Sequence, residues 1–144
     1  METQNYANHR RFVPMYHIVL SLLILLSLIG SCVNLVKSWG DHTRFYSASL
    51  LVVVFICFAI LFVFARQFAL KAQDRAIRAE ENLRHFVMTG KLLDSRLTIR
   101  QIIGLRFAGD DEFVALAKRA ADENMSEDDI KKAVKNWRAD YYRA

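Results

Sequence analysis

Phe12 to Val36 reads FVPMYHIVLSLLILLSLIGSCVNLV, and Phe45 to Ala65 reads FYSASLLVVVFICFAILFVFA. The first run is 25 residues long and the second 21, and neither contains Asp, Glu, Lys or Arg. A helix of about 20 apolar residues spans a bilayer's hydrocarbon core, which is roughly 30 Å thick. Peptide groups in lipid need internal partners, so each run is read as a helix; neither alternates as a barrel strand would. Only KSWGDHTR, Lys37 to Arg44, separates them, which predicts a tight antiparallel hairpin. Phe12, Tyr16, Trp39, Phe45 and Tyr46 fall at its edges, as interfacial aromatics do. Pro14 suits the start of the first helix, where its fixed φ and missing N–H do no harm.

Charge is sorted around these runs. Residues 66–144 hold 16 of the 20 Lys+Arg and 13 of the 15 Asp+Glu. Near the ends of the spans, Arg10, Arg11, Arg66, Lys71, Arg75 and Arg78 stand against Lys37 and Arg44 in the connecting loop. Lys and Arg concentrate on the cytoplasmic side, so both termini are expected there. The expected architecture is an all-α membrane protein. It has an N-terminal tail over 1–14, a transmembrane helix over 15–36, a short external loop over 37–45 and a second transmembrane helix over 46–65. A cytoplasmic stalk helix over 66–90 and a cytoplasmic three-helix domain over 91–144 follow.

Polar groups inside the runs are few: His17 and Asn34 near the edges, and Ser21, Ser27, Ser31, Ser47 and Ser49. Ser27 with Ser31, and Gly30 with Asn34, lie four apart and share helix faces, which predicts close packing of another helix. Cys32 and Cys57 lie within the apolar runs and are read as packing residues rather than as a disulfide or metal pair. Arg10-Arg11 followed by an apolar stretch and Ile29-Gly30-Ser31-Cys32 has the form of a lipoprotein signal. The second run a dozen residues later favours an uncleaved anchor.

Arg66 to Thr89 contains no Gly or Pro, so the second span is expected to continue as one helix to Gly90, a C′ residue. At 1.5 Å per residue the stalk would be roughly 35 Å long. Ala65, Ala69, Ala72, Ala76, Ala79, Leu83 and Phe86 recur at alternating spacings of four and three, a heptad-like seam. Asp74 with Arg78, and Glu80 with Arg84, are expected i,i+4 pairs, and Arg84 and His85 lie near the negative end of the helix dipole. Three short helices are expected next. The first is opened by a capping box at Thr98 and Gln101 and runs to Gly109; the second is capped by Asp110. The third is capped by Ser126 and carries Ile130, Ala133, Val134 and Trp137 on one face. With 54 residues, such a domain makes a marginal core and is expected to lean on the stalk, the membrane or a partner.

No phosphate-binding glycine loop, HExxH, CxxC or GxSxG motif occurs. His9, His17, His42 and His85 are scattered. No catalytic residue, cofactor or metal is therefore expected. The basic residues Lys131, Lys132, Lys135 and Arg138 sit among acids that nearly cancel them, which disfavours nucleic acid as a partner.

Thr3 to His9 (TQNYANH), Leu70 to Arg84 (LKAQDRAIRAEENLR), Leu97 to Glu112 (LTIRQIIGLRFAGDDE) and Ile130 to Ala144 (IKKAVKNWRADYYRA) together resemble a family of small bacterial two-span membrane proteins. That family is a domain of unknown function, sometimes labelled ABC transporter permease. The resemblance implies a bacterial inner-membrane location and no assigned activity, cofactor or catalytic residue. The expected role is non-enzymatic: an accessory or scaffold subunit working through a protein partner or a homo-oligomer. Arg75, Arg78, Arg106 and Trp137 are the candidate partner contacts, and Ser27, Gly30, Ser31 and Asn34 the candidate packing residues in the membrane. The alternatives are an oligomeric transporter or channel component and a membrane-tethered nucleic-acid or ribosome contact.

Overall fold

The computed structural model describes residues 4–9 and 11–141. Arg10 of the charge count and Thr3, Tyr142, Arg143 and Ala144 of the resemblance segments lie outside them. Among the described residues the chain is helical throughout, with five α-helices and no strand. These are α1 (Ser21–Lys37), α2 (His42–Thr89), α3 (Ile99–Leu105), α4 (Asp110–Asp122) and α5 (Glu127–Ala133), with a π-helical stretch, Met15–Leu20, leading into α1. They form two compact units, residues 12–69 and residues 1–11 with 70–144.

In the first unit α1 and the start of α2 form a hairpin. Apart from Ser27 and Ser49, which flank them, the least exposed positions of the first helix and its C-cap are Ser21, Ile24, Leu28, Ser31, Leu35 and Ser38, and those of the second over 45–62 are Phe45, Ala48, Val52, Phe55, Ala59 and Phe62. Both sets step by three and four residues, the spacing of a side-by-side helix pair. Small residues allow the approach: Ser31 is 6% and Ala48 1% exposed. At the open end Tyr16 stacks on Phe62 with ring centroids 4.4 Å apart and donates its hydroxyl to the Phe62 carbonyl. Five serine hydroxyls bond within their own helix, among them Ser31, which donates to Leu28 O at 2.8 Å, and Ser38, which donates to Asn34 O at 2.8 Å.

The second apolar run does continue without interruption: α2 is one helix of 48 residues, His42–Thr89. It stops where Gly90 takes φ +73°, a left-handed conformation that any Cβ would strain, and Gly90 N–H bonds Phe86 O at 2.7 Å.

In the second unit, the capping box forms as its sequence requires. Thr98 accepts from Gln101 N–H at 3.3 Å, and the Gln101 side chain accepts from Thr98 N–H at 2.8 Å. The same Gln101 amide is buried and donates to Met125 O at 2.9 Å, tying α3 to the turn before α5. α3 packs most closely on α5 at Gly104, where a Cβ would meet Glu127 O at 3.1 Å and Ile130 Cγ2 at 3.2 Å. Phe107, Phe113, Leu105 and Ile130 form the fully buried centre of the core.

Three expectations are corrected. α3 ends at Leu105 rather than reaching Gly109, and Gly109, not Asp110, is the N-cap of α4. α5 ends at Ala133, so Trp137 is not on its face. Tertiary hydrogen bonds explain all three. Residues 107–109 and 136–138 leave helical geometry to pair with each other: Gly109 N–H bonds Asn136 O at 2.8 Å, and Arg138 N–H bonds Phe107 O at 2.8 Å. Glu112 accepts the next two amides, from Lys135 at 3.0 Å and Asn136 at 2.9 Å. The amides of Lys135, Asn136 and Arg138 thus find acceptors outside the helix, and the helical alternative loses its advantage.

Replacing Thr98 by Ala removes one cap and is expected to destabilise this unit by about 1 kcal/mol. Gln101→Ala, which also orphans the buried Met125 carbonyl, is expected to cost about twice that. Urea titration followed by Trp137 fluorescence in a Trp39→Phe background checks both values.

Candidate interaction surface

Residues 4–9 of the N-terminal tail are built into the second unit. The Gln4 amide reads the Asp140 backbone in both directions, accepting from its N–H at 2.7 Å and donating to its carbonyl at 3.4 Å. Tyr6 donates its hydroxyl to Asp128 at 2.6 Å, and Lys132 Nζ lies 5.6 Å from the centre of its ring. His9 is buried against Phe107 and Trp137, with ring centroids 5.7 and 5.9 Å away. Its Nδ1 lies 2.6 Å from the Tyr6 carbonyl, which places the proton on Nδ1. Arg11 donates to Tyr141 O at 2.7 Å. Trp137, proposed from sequence as a partner contact, instead stacks on Phe107 at 4.9 Å and closes the core under the tail.

The C-terminal part of α2 meets the domain through Ile77, Glu81 and Arg84. Arg84 is the joint. Its Nε and Nη2 donate to Asp110 Oδ1 at 2.8 and 2.6 Å, Nη2 also to Ala108 O at 2.8 Å, and Nη1 to Glu81 at 3.0 Å. The guanidinium lies 4.1 Å from the centre of the Phe113 ring. Its partner on the helix is therefore Glu81, three residues back, and not Glu80. The domain supplies Asp110 and a carbonyl on the Glu81 side, and a side chain turned to Glu80 in solvent would forgo both. Among the described residues Asp74 and Arg78 form no ion pair, so neither expected i,i+4 pair is present. His85 lies 2.7 Å from Lys91 O, serving the turn after Gly90.

Arg106, expected at the surface, is only 7% exposed. It is held over the Phe107 ring at 4.5 Å, and its Nε lies 3.3 Å from Asp140. Its Nη1 has no hydrogen-bond acceptor. Burial draws its pKa down, while Asp140, Asp74, Glu127 and Glu81 pull it back up. Among the described residues its one ion-pair partner is Asp140. Arg75 and Arg78 are exposed, and neither forms an ion pair among the described residues. Of the basic residues Lys131, Lys132, Lys135 and Arg138, three are paired: Lys131 with Glu127 at 2.5 Å, Lys132 with Asp128 at 2.6 Å, and Arg138, beyond the end of α5, with Glu81 at 3.4 Å; Lys135 forms no ion pair among the described residues.

Of the residues expected to pack in the hairpin, Ser27 and Ser31 lie on the side of α1 that faces α2. Gly30 lies on the open side, where an added Cβ would meet nothing within 4 Å, whereas Asn34, though exposed, lines a groove with Ser38, Ser47, Ala48 and Leu51 at the loop end of the hairpin. In the stalk the difference is larger. Ala72, Ala76, Ala79, Leu83 and Phe86 are all exposed, because the domain covers the face of Ile77 and Glu81 on the other side of the helix. Periodicity alone could not separate these two faces.

Among the described residues no group of three or more His, Cys, Asp or Glu is placed to hold a metal ion. Cys32 and Cys57 are free thiols. The chain belongs to a family of unknown function, DUF6526, whose family model matches residues 1–144. That membership agrees with the resemblance carried by the four segments quoted above. No curated protein and no solved structure matches the chain.

Two outcomes follow from these contacts. Arg84→Met strands the nearly buried Glu81 with only Arg138 nearby, and is expected to cost about 3 kcal/mol; Arg75→Met is expected to change urea stability by less than about 0.5 kcal/mol. The second concerns Asp94, whose carboxyl is held down to about 2 by the Arg96 side chain and then by the Arg96 amide. A depressed carboxylate stabilises the fold above its unfolded value of 3.8 and loses that contribution as pH falls towards 2. The urea midpoint is thus expected to fall more steeply between those pH values in the natural protein than in Asp94→Asn.

Proposed function

We propose that this DUF6526 member is a membrane-anchored accessory or scaffold protein that acts through protein contacts and has no catalytic chemistry of its own. The observation carrying the membrane part is the surface of the hairpin. Leu22, Leu23, Leu25, Leu26, Phe58 and Leu61 are exposed, and only 6% of each apolar helix window is buried within the chain. A core helix of a soluble protein would be mostly covered, and an apolar surface of this extent in water would drive aggregation. Lipid is the solvent that suits it, and the internally bonded serines are what such a solvent demands.

The docked tail supports an even number of crossings. Residues 4–9, before the first apolar helix, touch Asp128, Trp137 and Asp140, which lie beyond the second. Two segments in contact occupy one compartment, so a hairpin that crosses twice satisfies the geometry and a single crossing does not. The Lys and Arg bias assigns that compartment to the cytoplasm, and the bacterial inner membrane is the location the resemblance suggests.

An accessory role is favoured by what the helices offer. The stalk leaves an apolar face and two arginines, Arg75 and Arg78, unengaged. A solute path would need polar or charged groups at membrane depth. A nucleic-acid contact would have to draw Lys131, Lys132 and Arg138 away from their carboxylates.

Carbonate extraction should leave the protein in the membrane pellet, and reporters fused at either terminus should both be active in the cytoplasm. Recovery in the aqueous fraction, or reporters active on opposite sides, would refute the anchoring. Pull-down in mild detergent should retain a stoichiometric partner, whether a second copy or another protein.

A further inference from the structure

We infer that the partner for the open face of the stalk is a second copy of this chain, paired in parallel along Ala72, Ala76, Ala79, Leu83 and Phe86. Ala72 is the d site of one heptad and the other four are the a and d sites of the next two, and every one is exposed. The face is not merely a row of alanines. Leu83 is 63% exposed, Phe86 49%, and the flanking Val87 77%, so a large apolar surface ends the seam in what is otherwise a charged segment.

The charges beside the seam select the occupant. With Ala76 and Leu83 at a and Ala79 and Phe86 at d, Arg75 occupies a g site and Glu80 the e site five residues on. In a parallel pair, g of one helix faces the following e of the other, so Arg75 meets Glu80 of the second copy and Glu80 meets its Arg75. Both residues are exposed, and neither forms an ion pair among the described residues. An antiparallel pair would set g against g and e against e, bringing like charges together.

The domain does not obstruct this. It engages the b and f positions, Ile77, Glu81 and Arg84, which lie across the helix from the seam. Alanine at a and d lets two backbones approach closely, and the larger Leu83 and Phe86 supply most of the buried area at one end. The inference rests on the reading of this protein as an interaction protein; it does not depend on membrane insertion.

Cysteine crosslinking of the full chain in mild detergent tests it, with Cys32 and Cys57 replaced by Ser. Ala79→Cys and Leu83→Cys should form disulfide-linked dimers under mild oxidation, whereas Arg78→Cys and Lys71→Cys, on the outer side, should not. Crosslinking at all four positions, or at none, would overturn the proposal, provided circular dichroism shows unchanged helicity. In the Leu83→Cys background, Arg75→Glu or Glu80→Arg alone should cut the dimer yield several-fold, and the double exchange should restore it. Single and double variants with the same yield would rule out the parallel register. Because the readout is dimer formation, it is independent of whether the protein pellets with membranes after carbonate extraction.

Discussion

The helix pair over residues 15–62 presents mostly apolar side chains on its outside, and that surface is the constraint this pair answers to. Several polar groups of the pair are turned inward or back on their own helix: Ser31 to Leu28 O, Ser38 to Asn34 O, Tyr16 to Phe62 O. The surface outside them is dominated by leucine, valine, isoleucine and phenylalanine. Backbone satisfaction and hydrophobic exclusion thus demand the same thing, which is why a helical hairpin is the solution for these two stretches.

The second unit solves a different problem with different forces. Residues 91–141 hold only a few large core side chains, centred on Phe107, Phe113, Leu105 and Ile130, too few for an independent core of comfortable stability. Two borrowed elements complete it. The end of α2 contributes Ile77 and, through Arg84, a charged joint to Asp110 and Ala108 O. The tail contributes His9, which covers Phe107 and Trp137. Arg106 sits beneath, opposed by acids from both the stalk and the domain. A small domain of this kind is coupled to its neighbours by construction, since loosening either borrowed element uncovers the core.

The two faces of the stalk show how one helix can serve both roles. The same stretch of α2 carries a face with Ile77 and Glu81, which folds the domain, and a face with Ala76, Ala79 and Leu83, which the domain leaves open. Both repeat with heptad spacing. The difference lies in Arg84 and Glu81, whose charges are useful only where other side chains desolvate and bond them.

Length, charge sorting and local signals determined a good deal from the sequence alone: two long apolar helices joined by a short loop, though that loop is residues 38–41 rather than 37–45, an unbroken second helix stopped by Gly90, the capping box at Thr98 and the cap at Ser126. These features depend on neighbours within a few residues, and hydrophobic runs, caps and positive-φ glycines act over that range. The tertiary structure alone decided where α3 and α5 stop, because their last turns are undone by hydrogen bonds between residues about 30 apart. It alone decided that Arg106 is interior, that Arg84 turns to Glu81 and Asp110, that the tail docks over Trp137, and which stalk face stays open. No spacing rule reaches so far: a buried charge or a docked tail is stabilised by groups distant in sequence, and only folding brings them together.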